Sequence, residues 1–325
     1  MFDIVGLDMP CMDLLVNVDN FPKPNGMALV NSLSWQGGNK VSTGMVAAAR
    51  LGAMCAIMGA VGDDSYGRFC LWDFERHGID TSGMLIRKDA TTSLSIVISD
   101  RETRGRSFVF HKGSAEPCSI DEIDHCKLEQ ARFFFVSTLD ETAIHCCRTA
   151  KQAGAEVFVD ADTYSETMMD NMHLIDWFIA SEFVYEALFD NSDYEANCRK
   201  ILENGPKAVV FTLGGKGCVG ISSEGFFRLE AYPVDVVDTT GAGDVFHGAF
   251  LAGLLQNWSI RKCADFSNAV AAIKCTRQGG RAGIPDMATA LRFMETGEID
   301  CTDIDKRVEL YERGISNVGT VWTQV

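Results

Sequence analysis

Residues 238–244 read Asp238-Thr239-Thr240-Gly241-Ala242-Gly243-Asp244, two acids and two glycines set inside an apolar stretch. Val234–Val237 before them reads as a strand. Val245–Gln256 after them reads as a helix, with Phe246, Phe250, Gly253 and Leu254 near one face. Glycines at a helix start leave backbone N–H groups bare, where the positive end of the helix favours an anion. Taken alone, the plainer reading is a glycine turn with Asp244 at or near the N-cap. A dinucleotide fingerprint fails because Phe246 stands where its third glycine belongs, and no G-x-x-x-x-G-K-[ST] loop occurs.

Other positions carry chemistry only in combination. Gly37-Gly38-Asn39-Lys40-Val41-Ser42 leads into an Ala-rich helix, and Thr212-Leu213-Gly214-Gly215-Lys216-Gly217 is a further glycine corner. Gly37-Gly38 reads either as a turn or as close backbone approach to a ligand. Asp13 reads as a turn acid or a ligand contact. Lys40 reads as a substrate contact or an exposed helix residue, and Asn268 as a pocket residue or an ordinary polar position on a helix. His125-Cys126 and His145-Cys146-Cys147 match no common zinc spacing.

The elements that must position these residues alternate. Ile4–Leu7, Ala56–Val61, Phe133–Val136, Val157–Val159, Trp177–Ala180, Val209–Leu213 and Cys218–Ile221 read as strands. Helix patterns lie between and after them at Lys40–Leu51, Tyr66–His77, Thr142–Ala153, Tyr185–Phe189, Tyr194–Glu203, Val245–Gln256 and Arg261–Arg277. This predicts an α/β fold with a doubly wound, mostly parallel sheet. Two stretches break the pattern, about 14–36 and 91–112. They predict a small antiparallel β lid, with a turn at Arg101–Gly105. Residues 301–325 show a short helical pattern and then a weakly patterned tail, and receive no role.

The 325 residues carry a formal charge of −16, which argues against nucleic acid or an anionic membrane as partner. Twelve cysteines without a C-x-x-C pair, and acids at Asp3 and Asp8 where a signal peptide would carry Lys or Arg, predict a reducing cytoplasm.

The ordered set of Gly37-Gly38, Gly62-Asp63-Asp64, Thr212–Gly217 and Asp238–Asp244 resembles the ribokinase-like (PfkB) carbohydrate kinase family, from about residue 4 to about residue 290. The resemblance implies a single kinase domain over 1–325 with the β lid. It makes Asp244 the base and the amides of Gly241, Ala242 and Gly243 an anion hole. Asp13, Gly37, Gly38, Asn39 and Ser42 would contact substrate, and Thr212, Gly214, Gly217 and Asn268 the nucleotide. Asp238 and Thr240 would hold a monovalent cation, with ATP, Mg²⁺ and K⁺ as cofactors. It also implies a homodimer paired through the lid.

Three departures qualify the resemblance. Ser42 stands at an Asn position, Ser181 and Val184 replace the ends of an Asn-x-x-Glu motif, and Asp160-Ala161-Asp162 lacks a following Arg at Tyr164. The missing Arg disfavours an anionic sugar, although Arg104 or Arg106 in the lid would supply a guanidinium. The expected activity is ATP-dependent phosphorylation of a hydroxymethyl group on a neutral sugar. The alternatives are a nucleoside kinase, with Trp35, Phe108 or Phe110 stacking the base, and a silent binding protein on the same scaffold.

Overall fold

The computed structural model describes residues 1–100, 102 and 105–314. Arg104, part of the Arg101–Gly105 turn and residues 315–325 lie outside them. The main sheet has nine strands. In spatial order they are β13 (Gly225–Leu229), β12 (Cys218–Ser222), β11 (Ala208–Thr212), β10 (Trp177–Ser181), β9 (Glu156–Ala161), β8 (Ala131–Val136), β1 (Phe2–Asp8), β4 (Cys55–Gly62) and β5 (Asp80–Arg87). Every pairing from β11 to β5 is parallel, and β12 and β13 extend the sheet antiparallel.

Side chains alternate across the sheet and feed two cores. Phe133, Phe135, Phe158 and Val210 face the helices Lys40–Arg50, Ala242–Leu255 and Ile260–Cys275. Phe134, Val157, Val159 and Phe211 face the helix Glu141–Gln152 on the other side. Strands buried on both faces need apolar residues at every position, which is why they read as unbroken runs. Each fully buried Phe contributes roughly 1.5–3 kcal/mol.

The lid is a separate four-stranded sheet in the order β3 (Val30–Gly38), β2 (Cys11–Val18), β6 (Leu94–Asp100) and β7 (Arg106–His111). It is not wholly antiparallel, because β2 and β6 pair in parallel. Both are first limbs of excursions that leave the carboxyl side of parallel strands, β1 and β5, so they set out in the same direction. Pro10, which has no N–H to donate, separates β1 from β2.

Two other expectations are corrected. Val234–Val237 is not a strand. It is extended, but Val237 N and Asp238 N both donate to Cys275 O at a helix end, and Val236 and Val237 are exposed. A β-branched run favours extended backbone, yet a ladder needs a strand alongside. β5 and β13 were absent from the expected strands; β5 alternates poorly and β13 is short. The short helical pattern after residue 300 is a helix over residues 302–312, and its Tyr311 is buried.

That helix belongs to the lock between lid and body. Arg281 is fully buried, and its Nη1 donates to Asp73 Oδ2 at 2.6 Å. Its Nη2 donates to Gly38 O at 3.2 Å, and its amide donates to Gln36 Oε1 at 2.7 Å. Tyr311 OH donates to the other oxygen of Asp73 at 2.6 Å. A buried guanidinium must be paired, and removing one partner of such a pair costs about 3–5 kcal/mol.

Candidate active site

The carboxyl ends of β1 and β9 and the start of the helix Ala242–Leu255 bring together Asp8, Asp160, Asp162, Lys40 and Asp244. Gly241 is the helix N-cap, in the left-handed region at φ 72°. Asp244 is therefore the third helical residue and not the cap: the positive φ that starts this helix falls on Gly241, three residues earlier. Its carboxyl is half-buried, and its pKa lies well above the ordinary carboxylate value. Loss of hydration is the main cause and the nearby Asp160 the next. Asp160 is fully buried and raised for the same reason, partly offset by Lys40. Lys40 Nζ pairs with Asp162 Oδ2 at 3.1 Å. Burial lowers the pKa of Lys40, but Asp162 and then Asp160 lift it above its usual value. His247, one turn beyond Asp244, sets Nδ1 2.6 Å from Gly243 O and 3.4 Å from Asp160 Oδ2, and Nε2 3.2 Å from Ile179 O. It ties the first turn of the helix to β9 and β10.

Of the three expected anion-hole amides, that of Ala242 also closes the preceding turn, donating to Thr239 O at 3.2 Å. At Gly243 and Gly215 an added Cβ would meet nothing within 4 Å. Neither has the positive φ that would demand glycine, so the fold does not require one there. Both line a cavity of about 210 Å³ that also gathers Thr212, Gly214, Gly217 and Asn268. The expected nucleotide residues are thus brought together beside Gly243. Asn268 Nδ2 donates to Glu230 O at 3.3 Å.

The Gly37-Gly38 corner has a different reason for its glycines than close approach to a ligand. A Cβ on Gly37 would lie 2.1 Å from Arg281 Nη1, and one on Gly38 would lie 2.3 Å from Asp13 Oδ1. The protein's own guanidinium and carboxylate fill the space. Asn39, at φ 78°, donates from Nδ2 to Asp8 Oδ1 at 3.0 Å and to Met9 O at 2.7 Å. Ser42 is fully buried, and its amide donates to Asp8 Oδ2 at 2.7 Å. Ser42 thus supports the corner from beneath, because helix packing turns it inward. Asp8 organises the corner and was missed, although an acid ending an apolar strand was the available signal. Lys40 and Asp8 line a second cavity, of about 270 Å³, with Asn39, Ser137 and Thr138.

Asp238 and Thr240 do not fit a monovalent cation. Asp238 Oδ1 accepts from Thr240 N and Oγ1 at 2.8 and 2.7 Å, and Oδ2 accepts from Gly279 N at 2.9 Å. The fully buried Lys274 donates from Nζ to Asp238 O at 2.8 Å. The positive charge that would balance Asp238 is already supplied by the chain. A lone Lys in the apolar run Ala269–Cys275 was its signal. Ser181 caps the helix Glu182–Leu188, Val184 is buried, and Glu182 pairs with Lys216 of the Thr212–Gly217 corner at 2.7 Å. Arg106 reaches from the lid to the Thr239 hydroxyl, just before the anion-hole turn.

A nine-stranded α/β sheet with a β lid over a helix start carrying Gly-x-Gly-Asp defines the ribokinase-like class. The pfkB family carbohydrate kinase profile matches residues 1–287, and the chain belongs to that family. It is 25% identical over 303 residues to a nucleoside kinase of Methanothermobacter thermautotrophicus, covering 89% of this chain and 94% of that one. It is 27% identical over 293 residues to the ribokinase of Haemophilus influenzae, covering 87% and 95%. Arabidopsis thaliana ribokinase, solved with ribose and ATP, superposes with a TM-score of 0.76 at 20% identity, covering 90% and 99%. The relatives make the chain a kinase of the sugar and nucleoside class.

Two outcomes are expected. Asp13 is buried, and burial raises its pKa to about 6. A carboxyl whose folded pKa exceeds its unfolded value contributes stability that is present below the unfolded pKa, near 4, and lost as pH rises through about 6. Asp13→Asn should therefore stabilise the ligand-free protein at pH 7 by up to roughly 2–3 kcal/mol and flatten the fall between pH 4 and 6, measured by urea unfolding. Gly243→Ala should leave the unfolding midpoint unchanged, because its Cβ meets open space, while weakening ATP binding at least tenfold by calorimetry.

Proposed function

We propose that this protein is an ATP-dependent kinase that phosphorylates a hydroxymethyl group of a neutral sugar. The supporting observation is the lining of the cleft. Asp8, Asp160, Asp162 and Asp244 converge there, with Lys40 already paired to Asp162. Carboxylates accept hydrogen bonds from hydroxyls and repel an anionic substrate. Asp244 removes the hydroxyl proton, and its raised pKa brings it toward the working pH of a general base. The amides of Gly241, Ala242 and Gly243 hold charge on the transferring phosphoryl. The cavity of Thr212, Gly214, Gly217 and Asn268 would hold ATP, and the Mg²⁺ carried with it would supply charge neutralisation there. Asp13, Gly37, Gly38 and Asn39 shape the acceptor side. The working unit is one kinase domain, with residues 14–36 and 91–112 as lid, in a reducing cytoplasm that suits twelve unpaired cysteines.

One observation favours a nucleoside acceptor as the second reading. Phe108 and Phe110 are exposed and share a face of β7 with Arg106, which reaches the cleft. Trp35 does not join them; it packs against the cluster of Met12, Phe69 and Tyr311. A panel of sugars and nucleosides with Mg-ATP decides, read as ADP release. Asp244→Asn should lower kcat by about 10²–10⁴-fold with binding retained. Equal turnover in that variant refutes the base, and no turnover of any acceptor by the wild type refutes the kinase.

We also propose a homodimer through the lid. All six residues of β7 are exposed on a sheet edge, Val109 between its two phenylalanines, and Leu29, Val30 and Leu33 are exposed as well. Such an edge is normally covered. Sedimentation at micromolar concentration should give twice the chain mass, and Val109→Lys should give monomer; a wild-type monomer ends the proposal.

A further inference from the structure

A second charged cavity, of about 480 Å³, lies away from the strand ends that carry the candidate site. It opens between the last turns of the helices Lys40–Arg50 and Ser65–Glu75 and the helix Thr302–Glu312. Arg50, Arg76, Lys306 and Arg307 line it, with Asp303 and Glu309 as the acids. Glu309 serves Arg313 at 3.8 Å. Asp303 Oδ2 accepts from both Arg50, at 2.5 Å, and Arg307, at 2.8 Å. Asp73, below the cavity, is shared between Arg281 at 2.6 Å and Arg76 at 3.5 Å. Four guanidiniums thus divide two carboxylates. Arg76 Nη1 is buried without a hydrogen-bond acceptor among the described residues.

The neighbouring groups register this surplus. His77 is held neutral, its pKa lowered to about 3 by burial and by Arg76, Arg50 and Arg307 against the pull of Asp73. Arg307 falls to about 10 through burial and the adjacent Arg50. Helix ends account for part of the arrangement, since the dipole favours cations at a C-terminus. That covers Arg50 and Arg76. It does not cover Arg307 and Lys306, which belong to the middle of a third helix. On a chain of net charge −16, an open cleft with surplus positive charge is a site for a compact anion. Guanidinium forks select tetrahedral oxyanions in two-bond geometry, and the volume exceeds a single phosphate.

We infer that this cavity binds a small phosphate-bearing molecule through Arg76 and Lys306, with Arg50 and Arg307, whose nitrogens already donate to Asp303, Ala282 O and Ile284 O, adding positive charge behind them. The inference does not depend on the kinase reading. An anion that takes up Arg76 leaves Asp73 to Arg281, whose guanidinium holds Gly38 O at the base of the lid.

The test is the thermal unfolding midpoint under inorganic phosphate, and separately ribose 5-phosphate, against chloride at equal ionic strength. Wild type should be stabilised by phosphate beyond the chloride control, through preferential binding to the folded state. Stronger stabilisation by ribose 5-phosphate identifies a phosphorylated metabolite as the occupant, and an equal response identifies free phosphate. The exposed Lys306→Glu should weaken the apparent affinity at least tenfold with an unchanged circular dichroism spectrum, and Arg76→Gln should abolish it. No phosphate-specific response in wild type overturns the inference. So does a response that Lys306→Glu leaves intact, as expected if phosphate binds only at Gly241–Gly243.

Discussion

Carboxylates crowd the carboxyl edge of the main sheet with little cation to balance them, and the candidate site is arranged around that imbalance. Asp160 is fully buried, Asp244 is half-buried beside it, and Lys40 is drawn to Asp162. Like charges in a poorly hydrated place cannot all ionise freely, so protons are retained and pKa values rise. The helix start at Gly241–Gly243 brings the opposite polarity to the same spot. An acid able to hold a proton thus stands beside amides able to hold an anion. The same pressure explains the supports. Asp8 uses both oxygens to accept from Met9 N, Asn39 Nδ2 and Ser42 N, and His247 braces the helix against β9 and β10.

Much of this was legible in the chain. The parallel strands announce themselves because burial on both faces demands apolar residues at every position. The glycine corners announce themselves by order and spacing. What was not legible depends on partners distant in sequence. Gly37 and Gly38 look alike on paper, yet one makes room for Arg281 and the other for Asp13. Ser42 looked like a contact and is interior, because its helix face is set by packing against β1. Val234–Val237 has strand residues and no strand to join. Lys274 and Asp73 are charges inside apolar runs, a pattern that signals a buried ion pair without naming the partner.

The lid illustrates how topology overrides local pattern. Its strands alternate as hairpins would, yet the central pair is parallel because both limbs leave the same edge of the main sheet. Its inner end is fastened to the body by Gln36 and Gly38, while its outer strand, β7, reaches the anion-hole turn through Arg106. One end is rooted in a buried lock and the other rests on an exposed side chain. That asymmetry suits a cover that hinges.

The lock has a consequence during synthesis. The contact between Gln36 and the Arg281 amide spans 245 residues of chain. At a ribosomal pace of about 5–20 residues per second, roughly 12–50 s separate the appearance of the two. Throughout that interval the glycine corner lacks the guanidinium that fills it, and Asp73 has only Arg76, three residues on, as a nearby counter-charge. The first-made strands of the lid are therefore among the last pieces of the molecule to find their place, and a nascent chain has an unfinished acceptor side until almost the whole protein has emerged.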